Sequence, residues 1–176
     1  MKITVTDQIQ LSELLPSDEA ACVQHFKEKE IYDLTLRIPY PYTGADFQRW
    51  LEIVQQATKQ QGQPTHWAIR NEQGLLIGGC GFNGLQIGES HQAEIGYWLA
   101  KPYWGQGIMT AVVRRLCEIA FAEFGLVKIT AHVFAENAAS AKVLAKCGFQ
   151  QEGYLRKHHL KEGKFLDARL FALLKA

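Results

Sequence analysis

The stretch AEIGYWLAKPYWGQGIMTAVV, residues 93–113, passes from a two-residue alternation to a helical stripe through two glycines one residue apart. In its first half Ala93, Ile95, Tyr97 and Leu99 share one parity and Glu94, Gly96 and Trp98 the other, as on a strand. After Gly107, residues Met109, Val112, Val113, Leu116 and Ala120 fall on one side of a helix. The first amides of a helix have no intrahelical partner and sit at the positive end of its dipole. Gly105 and Gly107 lack a Cβ, so such amides could approach a phosphate closely. A tight turn in which glycine serves backbone geometry alone fits the same spacing.

The neighbouring residues narrow the choice of diphosphate. A Walker A loop ends in Gly-Lys-Ser/Thr, whereas Ile108 and Met109 stand here, so a P-loop is excluded at this site. A dinucleotide fingerprint needs a third glycine where Thr110 stands. Gly79-Cys80-Gly81-Phe82-Asn83-Gly84 matches G-x-G-x-x-G literally, but it lies within a strand pattern that no helix follows. Those glycines are read as strand or bulge positions, and a nicotinamide dinucleotide is not expected.

Outward from the loop, the pattern reads strand, two helices, three strands, helix, strand, helix, two strands. Residues 9–15 predict a first strand, and Ser17 or Asp18 caps a helix through about Lys29. Residues 31–43, IYDLTLRIPYPYT, read as a loop. Thr43 and Asp46 fit a capping box before Phe47, Trp50, Leu51 and Val54, a helix ending near Gln61. Strands are expected at 65–70, 75–82, 92–99 and 128–134. Asn137 starts a helix that Gly148 ends, and two antiparallel strands flank the KEGK turn. The expected architecture is an α/β (α+β) fold, with a mixed, mostly antiparallel sheet of about seven strands and about four helices in one domain.

With 176 residues, 47% hydrophobic and 21% charged, the chain is ordinary for a globular protein. A formal charge of +1 gives no polyanion-binding balance, so nucleic acid is not an expected partner. The N-terminal residues lack a signal-peptide pattern and no window approaches a membrane span, which predicts a cytoplasmic protein without a membrane partner. Cys22, Cys80, Cys117 and Cys147 are scattered without a C-x-x-C pair, against a zinc site and a disulfide framework.

The run 93–113 followed by ENAASAKVLAKCGF, residues 136–149, resembles the GNAT superfamily of N-acetyltransferases, and more narrowly its RimJ/RimL-type branch. The likeness covers about residues 9–174. It implies a sheet splayed between the fourth and fifth strands, with acetyl-CoA as co-substrate in the gap and no metal. Trp104, Gly105, Gln106, Gly107, Ile108, Met109 and Thr110 would then hold the CoA pyrophosphate. Ile95, Tyr97, Trp98 and Leu99 would offer strand-edge groups to the pantetheine arm. Trp104 is usual for the branch, and Met109 stands where the family often has Gly or Ala, which predicts bulk against the helix start.

Acetyl transfer needs a neutral amine, a polarised thioester and an acid near the leaving thiolate. About a tenth of a free α-amine is neutral near pH 7, against well under a thousandth of a lysine. Glu94, in mid-strand, is the candidate base; an ion pair with a Lys or Arg, or a structural group holding water, is the alternative. Asn137 reads as a helix cap and, by the resemblance, as a pantetheine contact, with Ser140 as general acid near the sulfur. The family's alternative tyrosine position is Leu144 here. Lys142 could reach a CoA phosphate or simply face solvent. Arg37, Tyr40 and Tyr42 lie in the segment where the family forms its acceptor side, or the tyrosines pack helices onto the sheet. His158 and His159, adjacent on a strand, are expected on opposite faces. His132 reads as structural, and Asp167 as an ion pair or a turn anchor.

The implied activity is direct acetyl transfer from acetyl-CoA to a primary amine, a protein N-terminal α-amine first and a small amine or polyamine second. A non-catalytic acyl-CoA-binding module is the alternative. A homodimer is left open.

Overall fold

The computed structural model describes residues 2–176. Among them the chain forms eight strands in one sheet, ordered β1-β2-β3-β4-β5-β6-β8-β7, and five α-helices. The strands are β1 (Lys2–Thr4), β2 (Gln10–Ser12), β3 (His66–Arg70), β4 (Leu76–Asn83), β5 (Gln92–Leu99), β6 (Lys128–Phe134), β7 (Gln150–Lys161) and β8 (Lys164–Leu174). The helices are α1 (Glu19–His25), α2 (Lys29–Asp33), α3 (Gly44–Gln61), α4 (Ile108–Ala122) and α5 (Ala138–Lys146). Every neighbouring pair is antiparallel except β5 and β6.

Period-two alternation sorts each strand's side chains between two layers. Ala93, Ile95 and Leu99 of β5 join Trp67 and Ile69 of β3 beneath Met109, Val112, Val113 and Leu116 of α4. Ala68 and Trp98, of opposite parity, pack with Phe26, Ile31, Phe47 and Leu51 of the α1–α3 layer. Val112, Val113 and Leu116 are fully buried, each contributing about 1.5–3 kcal/mol. The α3 stripe is buried at Phe47, Leu51 and Val54, whereas Trp50 stays partly exposed with its ring edge-on to His66. Thr43 and Asp46 form the expected capping box, and α3 ends on Gly62 in the left-handed region.

The N-terminal third departs from the pattern in the sequence. The expected first strand at 9–15 is the short β2, and a further three-residue strand, β1, precedes it through a turn closed by Ile9. The helix expected to run to about Lys29 stops at His25, and α2 occupies part of the expected loop. Asp18 stands at the start of α1 without capping it. Its carboxylate instead accepts from the Leu15 amide and from both terminal nitrogens of Arg70, each at 2.8 Å. Arg70 also donates to Ser12 Oγ at 2.6 Å, so this buried pair clamps β2 and β3 to the start of α1. No helix among the described residues is long and apolar enough to cross a membrane.

Candidate active site

Strands β5 and β6 pair only at Gln92–Lys128, Ala93–Ile129 and Glu94–Thr130. Beyond Glu94, β5 is held by β4 through Leu99, and β6 is held by β8 through Phe134, so the two separate as a wedge. This is the splay expected between the fourth and fifth strands of the sequence reading. A cleft of about 1330 Å³ occupies the opening and is bordered by the first turns of α4 and α5 and by the segment between α2 and α3.

Trp104–Thr110 lie along this cleft. Gly105 and Gly107 have φ of 72° and 75°, and a Cβ on either would meet nothing within 4 Å. Backbone conformation therefore requires glycine here, and the space beside it stays open. Gly107 precedes α4 without a side-chain cap, so the amides of the first turn, whose residues Ile108–Thr110 line the cleft, have no capping side chain. The Trp104 indole N–H donates to the Leu99 carbonyl at 2.7 Å and the Gln106 amide to Pro102 O at 3.0 Å, fixing the loop to the end of β5. Met109 is buried in the core cluster while still bordering the cleft.

Across the wedge, Asn137 caps α5 by accepting from the Ser140 amide at 3.1 Å. Ser140 Oγ lies 2.7 Å from the Tyr97 hydroxyl. Burial pushes the Tyr97 phenol up to about 12, against the opposing pull of that hydrogen bond. Tyr97 was expected to contribute only its strand edge; the link between its hydroxyl and Ser140 depends on how α5 packs, which no local pattern reveals. Lys142, two residues beyond Ser140, also lines the cleft, and Leu144 is fully buried.

Glu94 and His132 meet on the other side of the wedge, with Oε2 3.4 Å from Nδ1. The partner of Glu94 is thus an imidazole rather than the Lys or Arg considered from sequence. The His132 ring stacks on His158 at 5.1 Å between centroids and 8° between planes, while His159 lies edge-on at 6.4 Å. His158 and His159 therefore do not point to opposite faces. Between Leu155 and His159 the register of β7 slips, four residues of β7 spanning two of β8, and Lys157 takes φ 51°. Asp167 anchors this bulge by accepting from the Lys157 amide at 2.7 Å and the Tyr154 hydroxyl at 2.9 Å, the turn-anchor role expected from its position. Burial, then the His158 and His132 rings, hold the His159 pKa below its ordinary value, with Arg37 adding to the effect and Glu94 opposing it. Among the described residues, no group of three or more His, Cys, Asp or Glu side chains could hold a metal ion.

Arg37 and Tyr42 line the cleft, but Tyr40 does not; its ring packs on Tyr32 at 5.4 Å, outside. Tyr42 packs against Phe26, and Phe26 against Trp98, with tilted rings whose centroids lie 4.5 and 4.3 Å apart. Trp98 thus turns its ring toward α1, away from Tyr97 and Leu99. The strand glycines make room for this wall. A Cβ at Gly79 would stand 2.6 Å from the Trp98 indole nitrogen, and one at Gly81 2.5 Å from the His66 ring. In the literal G-x-G-x-x-G match, Gly79 and Gly81 are thus β4 positions that accommodate aromatic rings, and no helix follows them.

A family model described as the acetyltransferase (GNAT) domain matches residues 8–150. An uncharacterized N-acetyltransferase of Bacillus licheniformis, p20, is 30% identical over 178 residues, covering 99% of this chain and 97% of the relative. The [ribosomal protein uS5]-alanine N-acetyltransferase of Escherichia coli is 29% identical over 102 residues, 56% of this chain and 50% of that one. Among solved structures, the RimL ribosomal L7/L12 alpha-N-protein acetyltransferase in complex with coenzyme A superposes with a TM-score of 0.87, at 19% identity, over 99% of this chain and 98% of that one.

Proposed function

The chain belongs to the GNAT acetyltransferase family, and from that premise we propose that it moves the acetyl group of acetyl-CoA directly onto a primary amine. The whole chain acts as one cytoplasmic catalytic domain, with a protein N-terminal α-amine as first acceptor and a small amine or polyamine as second. The parting of β5 from β6 beyond Glu94 and Thr130 carries this reading, because it puts an uncapped helix start and a carboxylate on one continuous cleft.

The first amides of α4 and the open backbone at Gly105 and Gly107 suit the CoA diphosphate. Trp104, Gln106, Ile108, Met109 and Thr110 shape that end, and Asn137 and Lys142 serve the arm and its phosphates. The unpaired edge of Ile95–Leu99 offers amides and carbonyls to the pantetheine. The acceptor nitrogen enters past Arg37 and Tyr42 and attacks the thioester carbonyl. The C–N bond forms, the C–S bond breaks, and Ser140, backed by Tyr97, gives the departing sulfur a proton. Glu94 draws a proton from the acceptor ammonium. A protein α-amine is favoured because it needs only modest help to lose its proton, and because one of the relatives is named for acetylating the alanine of a ribosomal protein.

The test is a thermal-shift panel with acetyl-CoA, CoA, NAD and ATP, followed by mass spectrometry of peptides and polyamines incubated with acetyl-CoA. At a hundred times its Kd a ligand adds about 2.7 kcal/mol. That should raise Tm by roughly 5–10 °C for acetyl-CoA and CoA alone, with one acetyl group appearing on peptide N-termini. No shift with either thioester or thiol sinks the proposal.

A further inference from the structure

Asn83 ends β4 directly opposite Glu94 of β5, so the two side chains leave the sheet on one face, where β5 parts from β6. Both line the cleft. The next pair on that face is Gly81 and Gly96. Gly81 is covered by the His66 ring, which stands 2.5 Å from where its Cβ would be. Gly96 is bare: outside its chain neighbours, the only described atom within 4 Å of a Cβ there is Asn83 Nδ2, at 3.3 Å.

The Asn83 amide is held in one orientation from behind. The hydroxyl of buried Thr65 lies 3.1 Å from His66 Nδ1, and His66 Nε2 lies 3.5 Å from Asn83 Oδ1. An amide oxygen only accepts, so Nε2 carries the ring proton and donates it, and Nδ1 accepts from the threonine hydroxyl. Burial holds the His66 pKa below its ordinary value, which keeps the ring in this neutral form. The ring is also wedged between Gly81 and the Trp50 indole, edge-on at 5.2 Å. With its oxygen so engaged, Asn83 turns Nδ2 toward Gly96, where no group among the described residues accepts from it.

We propose that Asn83 selects the acceptor: its Nδ2–H donates to a carbonyl two bonds from the acceptor nitrogen, so the site prefers the α-amine of an aminoacyl group to an alkylamine or a polyamine. This rests on the acetyl-transfer reading above and narrows its two acceptor classes to one. Side chains directly opposite on neighbouring strands stand about 5 Å apart at Cβ. In an aminoacyl group the carbonyl oxygen lies about 3 Å from the nitrogen. An α-amine seated at Glu94 therefore brings its own carbonyl toward the Asn83 amide, across the bare backbone of Gly96. A polyamine or a lysine side chain offers only methylenes there and leaves the donor unpaired. A free amino acid offers an oxygen but sets a second negative charge beside Glu94, so the amide carbonyl of a peptide is the preferred source.

The experiment measures kcat and KM of the full chain for an alanyl tripeptide amide, free alanine, propylamine and putrescine, in wild type, Asn83→Ala and Asn83→Asp. Rates are expressed per neutral amine, so that differences in basicity cancel. Aspartate keeps the shape of the side chain and can still accept from His66, but it has no donor. In both variants the ratio of kcat/KM for the peptide to that for propylamine should fall about tenfold, mainly through the peptide KM. His66→Phe keeps a ring over Gly81 and frees the amide, so the ratio should fall by less. A general loss of stability or of acetyl-CoA binding would slow both amines alike and leave the ratio where it was. A ratio unchanged in both Asn83 variants overturns the assignment. So does a wild type that acetylates propylamine or putrescine as well as the peptide, a comparison that decides the matter even if the variants do not fold. Alanine ahead of the peptide, with the same fall in the variants, keeps the donor and assigns its carbonyl to a free amino acid. A wild-type chain that binds acetyl-CoA and acetylates none of the four amines defeats the acetyl-transfer reading and this selection with it; acetylation with an unchanged ratio defeats the selection alone.

Discussion

The Tyr97 hydroxyl and Ser140 Oγ, 2.7 Å apart, join β5 to the first turn of α5 where the sheet opens. If Ser140 protonates the departing sulfur, Ser140→Ala should lower kcat about a hundredfold with little change in the KM for acetyl-CoA. Tyr97→Phe should cost less, because the serine hydroxyl remains. Steady-state rates at saturating peptide and thioester decide the point. An unchanged kcat in Ser140→Ala would leave water as the proton donor.

Two glycine substitutions should separate ligand binding from folding. Gly107→Ala places a side chain at φ 75° with open space around it, costing about 1–2 kcal/mol of backbone strain and turning the α4 amides from their present direction. The expected result is a small loss of Tm and about a tenfold weaker affinity for acetyl-CoA. Gly79→Ala meets the Trp98 indole, an overpacking worth about 1–3 kcal/mol, so Tm should fall while affinity is kept. Thermal melts with and without acetyl-CoA distinguish the two patterns.

Asp18 and Arg70 are both more than nine-tenths buried and bonded in fork geometry. Removing one partner leaves the other charge stranded in the core, at about 3–5 kcal/mol. Asp18→Ala should therefore lower Tm by roughly 10 °C. The ion pair of Lys29 with Asp33, half-exposed on α2, should show no measurable effect when Asp33 is replaced by Asn. Similar losses in both variants would contradict the burial argument.

His66 gives the fold a pH dependence of definite sign. Burial lowers its pKa below the ordinary imidazole value, with the bond to Asn83 acting in the opposite sense. The unfolded chain then binds a proton before the folded chain does. The stabilisation is complete above about pH 6.5 and is lost as pH falls toward the depressed folded value, at up to about 1.4 kcal/mol per pH unit. His66→Gln should flatten this part of the curve of Tm against pH. A curve that keeps its slope in the variant would assign the acid sensitivity elsewhere.

Features set by neighbouring residues along the chain were legible in the sequence. Strands β5 and β6 occupy 92–99 and 128–134 as their alternation predicts, and the Thr43 and Asn137 caps sit where their side chains require. The loop glycines and the position of the splay also emerge from local pattern and family resemblance. What stayed hidden depends on partners distant in the chain. The direction of His158 and His159 follows from a register slip against β8, which the β7 sequence alone does not encode. Asp18 reads as a helix cap until Arg70, fifty-two residues on, claims its carboxylate. Strand β1 is three residues long, too short for a period to be visible.

The wedge between β5 and β6 also bears on self-association. Two rows of backbone donors and acceptors, along residues 95–99 and 131–134, face each other without a ladder between them. On an outer rim such rows invite another chain to add on, and proteins blunt them with lysine, proline or bulges. The sequences IGYWL and AHVF contain neither lysine nor proline. The exposed border strand β7 has Arg156, Lys157, Lys161 and a bulge. The inner rows need no such guard because the wedge narrows to full pairing at Glu94 and Thr130, so a flat intruding strand has no room to zip along it. The fold thus keeps a sticky surface without exposing it to its neighbours in the cell.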